Sequence, residues 1–344
     1  MICEWSDMIK CLFCPVTFRV ESHTPYHHLL SLQKVLCLST CRNHLTGGSM
    51  EAVNKSITPI SPDNPYNLIA EIDPPKGVNL AGFLKTALSI RGRVNAVRVT
   101  DSEHAIMRMS PLAPCLTLKE RNIEPIMIIT GRDRNRISFQ ADLLTSAALG
   151  IKNIVIKEGH DPAEGDQPVA RTSGDLNLET MLKCISSLNA GKDLAGEPLD
   201  GATDFTIGVS LDLSDDVKTN RERGEFFKVM KDYGVSSVTL GPTYDINIIE
   251  QFMPFAEETG IKLYSSVMLL KSVTMIRYLN NLPGIPSIPQ EFLKKMMQAP
   301  VKKDAGMQVA ADFLKELIPL GDGIVLLAIG WGDKLPEFLD LIQR

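Results

Sequence analysis

The chain lacks the features of membrane proteins and of proteins that bind nucleic acid through overall charge. No apolar run approaches the length of a transmembrane helix, and the N-terminus lacks the basic region, apolar core and cleavage site of a signal peptide. The formal net charge of −5 argues against a nucleic-acid or membrane-surface role based on bulk charge. We therefore expect a cytoplasmic globular protein, and 44% apolar content in 344 residues is enough for a large core.

Cysteine is scarce after residue 50, where only Cys115 and Cys184 occur, and both are expected to be buried thiols. Six earlier residues could be drawn as a zinc site, namely Cys11, Cys14, His27, His28, Cys37 and Cys41. Their spacings fit no standard zinc finger, however. We expect residues 1–60 to be a poorly ordered extension, and translation from Met50 would make residues 1–49 upstream sequence.

Several catalytic signatures are missing as well. No Gly-x-Gly-x-x-Gly follows the first predicted strand, and there is no Gly-x-Ser-x-Gly elbow or phosphate-binding glycine–lysine loop. After residue 50 histidine is limited to His104 and His160, and neither lies at helical spacing from a partner histidine. We therefore expect no metal site in this region, and acyl transfer and nucleotide hydrolysis are disfavoured.

From residue 66 onward, short apolar runs alternate with stretches of 3.6-residue periodicity, a pattern that predicts repeated β-α units. The predicted strands are 67–72, 96–100, 126–130, 153–157, 205–211, 237–241, 262–267 and 323–327. The predicted helices are 80–89, 110–122, 136–149, 178–188, 218–233, 246–259 and 273–279, with extra helices from Gln290 and Ala305 before the last strand. Eight such units predict an α/β fold, a (β/α)₈ TIM barrel over residues 61–344, with a doubly wound sheet as the alternative.

The third predicted strand is followed by the most strongly charged loop. Residues 131–136 contain three arginines, Asp133 and Asn135. Because ligands in barrels bind where the carboxyl ends of strands meet the loops, this composition predicts an anionic, hydrogen-bonding ligand. The alternative is a solvated helix start, with Asn135 as N-cap and the arginines facing water.

The first predicted strand carries a candidate acid, Glu71. A carboxylate that points into the top of a barrel loses water and its pKa rises, so it could deliver a proton near neutrality. The two prolines after it, Pro74 and Pro75, restrict the backbone just beyond it. The alternative is that Glu71 pairs with a lysine or arginine of a neighbouring strand.

Polar loops also follow the second, fourth and sixth strands. The second ends at Thr100 and Asp101, and the alternative to a ligand site there is a helix cap. The fourth leads into 157–162, KEGHDP, and then into a long polar connection that suits a ligand-covering loop. The sixth ends in 239–245, TLGPTYD. Four polar loops at one end of a barrel predict a site there.

Several of these segments together resemble the methylenetetrahydrofolate reductase family, from about residue 66 to the C-terminus. The most specific are 70–77 (AEIDPPKG), 99–101 (VTD) with 107–110 (MRMS), and 130–136 (TGRDRNR) with Gln140, 143–144 and 148–151. Weaker similarities are 242–245 (PTYD) and 282–285 (LPGI) with 288–289.

The resemblance implies a barrel that holds FAD across its top, usually reduced by NADH or NADPH, and that reduces 5,10-methylenetetrahydrofolate to 5-methyltetrahydrofolate. Glu71 occupies the position of the general acid, which protonates the departing ring nitrogen. The residues implied in binding or tuning FAD are Thr100, Asp101, Arg132, Asp133, Asn135, Gly159, His160 and Asp161, and Asp161 is also implied in catalysis. Glu71, Gly241 and Tyr244 are implied in binding folate. The implied context is one-carbon metabolism and methionine biosynthesis, with a homo-oligomer, a methyltransferase or an electron-donor protein as candidate partners.

Three positions depart from the family pattern. His160 stands where the family has aspartate, which shifts the acid to Asp161; Ile128 replaces a frequent histidine; and Gly241 replaces a glutamine expected to contact folate and flavin. These departures support an alternative function, in which a divergent member binds folate or a partner protein in a methyl-transfer system without redox chemistry.

Overall fold

The computed structural model describes residues 66–281 and 286–343. The N-terminal extension predicted over residues 1–60, the alternative zinc site within it and the segment 282–285 lie outside the described residues. Within the two described ranges, no helix combines the length and the apolar character needed to cross a bilayer.

Eight parallel strands form a closed barrel in the order β1 to β8, and β1 pairs with β8. The strands are β1 Asn67–Ile72, β2 Ala96–Val99, β3 Pro125–Thr130, β4 Asn153–Lys157, β5 Thr206–Asp212, β6 Val235–Gly241, β7 Lys262–Met268 and β8 Gly323–Leu327. The apolar run of β3 is buried at every residue, as expected for a parallel strand covered on both faces. The predicted (β/α)₈ barrel is confirmed.

Helices connect the strands on the outside of the barrel. They are α1 Ala81–Ser89, α2 Leu112–Lys119, α3 Arg136–Ala148, α4 Leu178–Asn189, α5 Val217–Glu225, α6 Phe227–Asp232, α7 Ile246–Glu250, α8 Met253–Thr259, α9 Val273–Leu279, α10 Gln290–Gln298, α11 Lys302–Leu317 and α12 Leu335–Ile342. Buried side chains such as Phe139 of α3 and Ile185 of α4 belong to the core between helices and strands.

Two predicted helices are each divided in two. The segment predicted as 246–259 becomes α7 and α8, and Pro254 lies in the first turn of α8. Proline has no N–H to donate to the preceding turn, so it suits a helix start and disfavours a continuous helix. The segment 218–233 becomes α5 and α6, which meet at Phe226. Helix α12, after the last strand, adds to the predicted set.

The strand register brings the carboxyl ends of the strands to one mouth of the barrel. Glu71 of β1 is level with Arg98 of β2, and Thr130 of β3 is level with Lys157 of β4. Polar side chains at these strand ends are therefore neighbours in space, although they lie up to 86 residues apart in the chain.

Candidate active site at the barrel mouth

Glu71 forms an ion pair inside the barrel. Arg98 donates from Nε to Glu71 Oε2 at 2.7 Å, and its Nη2 lies 2.7 Å from the same oxygen. Arg98 Nη1 also donates to Thr239 Oγ1 at 3.1 Å. Because β2 and β6 are not neighbouring strands, this last bond crosses the barrel interior. The Glu71 side chain is thus directed inward, and only 15% of it is exposed.

The environment of Glu71 favours its protonated form more than water does. Burial raises the pKa of the carboxyl, the Arg98 guanidinium opposes that rise, and the nearby Glu103 carboxylate adds to it. Both Arg98 contacts go to Oε2, and Oε1 makes no hydrogen bond with a described residue. One oxygen is therefore held in place while the other is free to carry a proton.

A second charge cluster, partly buried, lies on the β4 side of the mouth. Lys157 donates from Nζ to Glu103 Oε1 at 2.5 Å and lies 3.1 Å from Asp212 Oδ1. Burial alone would raise the pKa of Glu103, but the Lys157 ammonium outweighs it and lowers that pKa to about 2. The ammonium, at the end of β4, therefore ties the loop after β2 to the end of β5.

Two histidines complete this cluster. The rings of His104 and His160 lie 4.6 Å apart, and His160 Nδ1 is 3.7 Å from Glu103 Oε1. Burial and the neighbouring Lys157 charge lower the pKa of His160. Among the described residues, neither imidazole forms a hydrogen bond within 3.5 Å. The fold thus brings together two unbonded imidazoles and a carboxylate from two different loops.

Thr100 and Asp101, both predicted to bind FAD, are used within the protein. Thr100 is fully buried and donates from Oγ1 to Asp73 Oδ1 at 2.7 Å. Asp101 accepts bonds from the Thr130 N–H at 2.9 Å and from Arg134 Nη1 at 2.5 Å. In this structure Asp101 therefore links the ends of β2 and β3 to the arginine-rich loop.

The arginines of that loop are also paired internally. Arg132 donates from Nε to Asp133, and from Nη1 to the carbonyl oxygens of Ser102 at 3.2 Å and His160 at 3.5 Å. Arg136 pairs with Asp175 at 2.8 Å, on the surface. Arg132 is thus buried and fully engaged, whereas Arg136 remains half exposed and is the arginine most open to a ligand.

Three further predicted residues have local structural roles. Asn135 is the N-cap of α3, because its side chain accepts the N–H groups of Ile137 and Ser138. Asp161 is exposed and accepts the Ala163 N–H at 2.9 Å, which caps a short 3₁₀ turn. Gly159 has φ of +95°, a conformation that L side chains rarely adopt. The N-cap role of Asn135, which was the alternative to ligand binding for this loop, is therefore observed.

The two residues predicted to bind folate after β6 lie in different surroundings. Tyr244 is buried against Phe313, and its hydroxyl donates to the Met268 carbonyl, so this placement gives no support to contact with substrate. Gly241 lies at the end of β6, where a Cβ would stand 3.2 Å from Ser266 Oγ. That hydroxyl is buried and has no hydrogen-bond partner within the described ranges.

The model of the methylenetetrahydrofolate reductase family matches residues 60–331, about four-fifths of the chain and every strand of the barrel. The chain belongs to this family. Membership implies a folate-related reductase, an oxidoreductase, and it agrees with a barrel that gathers a buried carboxyl and several polar loops at one mouth. No curated protein sequence matches the chain.

The solved structures that are similar to this chain include three with 10% sequence identity. They include a long-chain alkane monooxygenase, LadA (10% identity, 81% of this chain and 91% of that chain, TM-score 0.49), and an EDTA monooxygenase, EmoA, from Chelativorans sp. BNC1 (10%, 80% and 92%, 0.48). A third is dihydropteroate synthase from Stenotrophomonas maltophilia (10%, 81% and 92%, 0.45). At TM-scores below 0.5 these similarities carry no inference about function.

Sequence reasoning does not identify several residues that the fold brings to the mouth. Arg98 is a lone cation in the apolar run 96–99, and Lys157 ends the apolar run 153–157. A single charge in an otherwise buried strand is itself a signal, because a buried cation requires a partner. The partner's identity is set by strand register, which one sequence does not reveal.

Proposed function

We propose that this protein is an FAD-dependent reductase that converts 5,10-methylenetetrahydrofolate to 5-methyltetrahydrofolate, with Glu71 as the general acid. The observation that carries the proposal is the state of Glu71 inside the barrel. It is a largely buried carboxyl with one oxygen held by Arg98, one oxygen free and a raised pKa. Family membership supplies the class of substrate.

Glu71 and Arg98 can together perform the acid step. Opening the five-membered ring of the folate requires a proton on the departing nitrogen, and a carboxyl with a raised pKa keeps that proton to higher pH than an exposed glutamate does. Arg98 fixes Oε2, so the proton would be held on Oε1 and presented in one orientation. Once ionised, Glu71 would stabilise the positive charge left on the iminium carbon of the substrate.

The residues at the mouth fit part of a flavin. The Lys157 ammonium suits the polar edge of the ring, and Ser266 offers a buried hydroxyl that lacks a partner among the described residues. Bound FAD would supply the two electrons of the reduction, with NADH or NADPH as candidate donors.

The arginine-rich loop fits the pyrophosphate of FAD less well. Arg132 has no free donor pair, so Arg136 is the arginine proposed to contact it. Solvent screens a surface pair such as Arg136 with Asp175, so exchange of Asp175 for phosphate is feasible.

The decisive experiment compares Glu71→Gln with the wild type. We expect both proteins to bind FAD and show its visible absorption. Folate reduction by Glu71→Gln should fall about 10²- to 10⁴-fold, because the amide cannot donate the proton. Glu164→Gln, at an exposed position of the loop after β4, is the matched control and should keep full activity. Retained reduction in Glu71→Gln would remove Glu71 from the mechanism.

A second candidate function is a family member that binds folate or a partner protein without redox chemistry. The internal pairing of Arg132 and Arg134 favours it, because the arginine-rich loop presents less free positive charge than its sequence suggests. A colourless protein that takes up no FAD but binds tetrahydrofolate would support this function. Anaerobic titration with NADH and then NADPH separates the two candidates, because only a flavoprotein changes its visible spectrum.

A further inference from the structure

Three side chains at the mouth have the composition of a transition-metal site. Glu103 and His104 lie in the loop after β2 and His160 in the loop after β4, and their ligand atoms all lie within 4.8 Å of one another. We propose that Glu103, His104 and His160 bind a divalent transition cation of the zinc class, with three protein ligands and at least one open position. This site goes beyond the proposed function, does not rest on it, and replaces the expectation from sequence that the region after residue 50 holds no metal site.

The donor set selects the class of metal. Two imidazoles and one carboxylate suit Zn²⁺, Co²⁺ or Fe²⁺, whereas Mg²⁺ and Ca²⁺ prefer sites made of oxygen ligands. Three protein ligands with an open position is the arrangement of catalytic rather than structural zinc sites. Metal–ligand distances of about 2.0–2.1 Å would place the ligand atoms roughly 3.3 Å apart, so no pair of ligand atoms needs to close by more than about 1.5 Å.

The two loops that carry these residues are fixed to each other. One guanidinium, that of Arg132, donates to the carbonyl oxygens of Ser102 and His160, which adjoin or belong to the ligand residues. Further along, Asp166 accepts the Met107 N–H at 2.8 Å. Hydrogen bonds within the protein therefore hold together the two backbone segments that carry the site.

A close approach at Gly165 adds to this connection. A Cβ there would stand 2.0 Å from the Ala105 carbonyl oxygen, so only glycine allows the two loops to pack at this distance. Ala105 directly follows His104, and the contact therefore fixes the backbone next to one proposed ligand.

Lys157 would compete with the metal for the Glu103 carboxylate. Its ammonium lies 2.5 Å from Glu103 Oε1, but Asp212 is a second partner at 3.1 Å. A bound cation could take the Glu103 carboxylate while Lys157 keeps Asp212. The charges of Glu103, Asp212 and Lys157 sum to −1, so a divalent ion would leave the cluster at +1, which is a moderate charge for a partly exposed site.

Cobalt titration of the full-length chain tests the proposal. The protein is treated with EDTA, dialysed and titrated with Co²⁺ while the visible d–d absorption is followed. We expect one equivalent to bind with the spectrum of nitrogen and oxygen ligands. His104→Gln and His160→Gln should each weaken binding about 100-fold or more. His104 is exposed, so its replacement should leave the fold intact, which circular dichroism checks.

Two further variants test the competing charge and the N-terminal region. Lys157→Met should tighten Co²⁺ binding about tenfold or more, because it removes the competing positive charge. The double variant His27→Gln/His28→Gln is the matched control in the N-terminal region and should bind as the wild type does.

Three results would overturn the site. They are no Co²⁺ binding by the wild type, unchanged binding in both His104→Gln and His160→Gln, and a cobalt–thiolate band that is lost in Cys11→Ser/Cys14→Ser but kept in His104→Gln. No flavin or folate enters the assay, so its outcome is independent of the proposed reductase activity.

Discussion

At the scale of single residues, the ion pair between Glu71 and Arg98 places two opposite charges inside the barrel. Only 4% of the Arg98 side chain and 15% of the Glu71 side chain are exposed, so both charges have lost most of their water. A buried pair of this kind contributes little net stability, but removal of one partner leaves an uncompensated charge. Glu71 and Arg98 therefore each depend on the other to compensate a buried charge.

We expect Arg98→Met to lower the free energy of unfolding by about 3–5 kcal/mol, because Glu71 then lacks its buried partner. The double variant Glu71→Leu/Arg98→Met should recover most of that loss. Urea unfolding of the wild type, both single variants and the double variant measures the coupling. A loss below about 1 kcal/mol in Arg98→Met would contradict the ion pair as described.

The raised pKa of Glu71 predicts a pH dependence. Under the proposed mechanism the acid must carry its proton, so kcat for folate reduction should fall as pH rises through the Glu71 pKa. Because burial raises that pKa, the fall should occur at higher pH than for an exposed glutamate. The facing charges are Arg98, Glu103, Lys157 and Asp73.

The raised pKa of Glu71 also makes the free energy of unfolding depend on pH. The folded state binds the Glu71 proton more tightly than the unfolded state. The stabilisation by this proton is therefore complete below the unfolded pKa and is lost as pH rises through the folded pKa. Comparison of unfolding free energies of the wild type and Glu71→Gln across this range checks the sign. An identical pH dependence in the two proteins would argue against a raised pKa.

At the scale of elements, α11 lies unusually close to the end of β7. Gly306 of α11 faces Leu270, and a Cβ at position 306 would stand 1.9 Å from the Leu270 carbonyl oxygen. Gly82 of α1 is also helical, but a Cβ there would meet no atom within 4 Å. Gly306 is thus a buried glycine that a close approach requires, whereas Gly82 is an exposed glycine with open space around it.

We expect Gly306→Ala to destabilise the protein by more than about 2 kcal/mol, because the helix has to move away from the strand end. Gly82→Ala should instead stabilise it by up to about 1 kcal/mol, because alanine is the better helix former. Thermal or urea unfolding of both variants measures the difference. Equal effects at the two positions would show that α11 can shift freely.

Most of the secondary structure can be predicted from local sequence patterns. The breaks that divide two of the helices are harder to predict. The apolar run of β3 and the N-cap at Asn135 are local signals, and both elements occur where the pattern predicts them. The division of 246–259 follows from Pro254, which a periodicity argument alone does not weigh. The division at Phe226 follows Gly224, but one glycine is a weaker helix breaker than proline.

At the scale of the whole molecule, the barrel closes on itself between residues 67 and 327. Every strand pairs with two neighbours, and β1 with β8 completes the ring. All eight strands and their hydrogen bonds lie within these residues. The cooperative unit should therefore not depend on the first 49 residues.

We expect a chain beginning at Met50 to unfold at the temperature of the full chain within about 2 °C, since a change of 1 kcal/mol would shift a protein of this size by about 1–2 °C. Under the proposed function it should also keep its affinity for FAD. Differential scanning calorimetry and flavin titration of both chains measure this. A lower midpoint would show that the N-terminal segment contributes to barrel stability.

The sequence by itself determined the eight β-α units, the family and the presence of a carboxyl on the first strand, because these follow from local periodicity and short contiguous motifs. Only the tertiary structure decided what that carboxyl contacts, that the arginines of 132–136 are paired internally, and that His104 and His160 meet Glu103. The reason is physical. Strand register and barrel closure place residues from distant parts of the chain within a few ångströms, and the chemistry of a buried group is set by those neighbours.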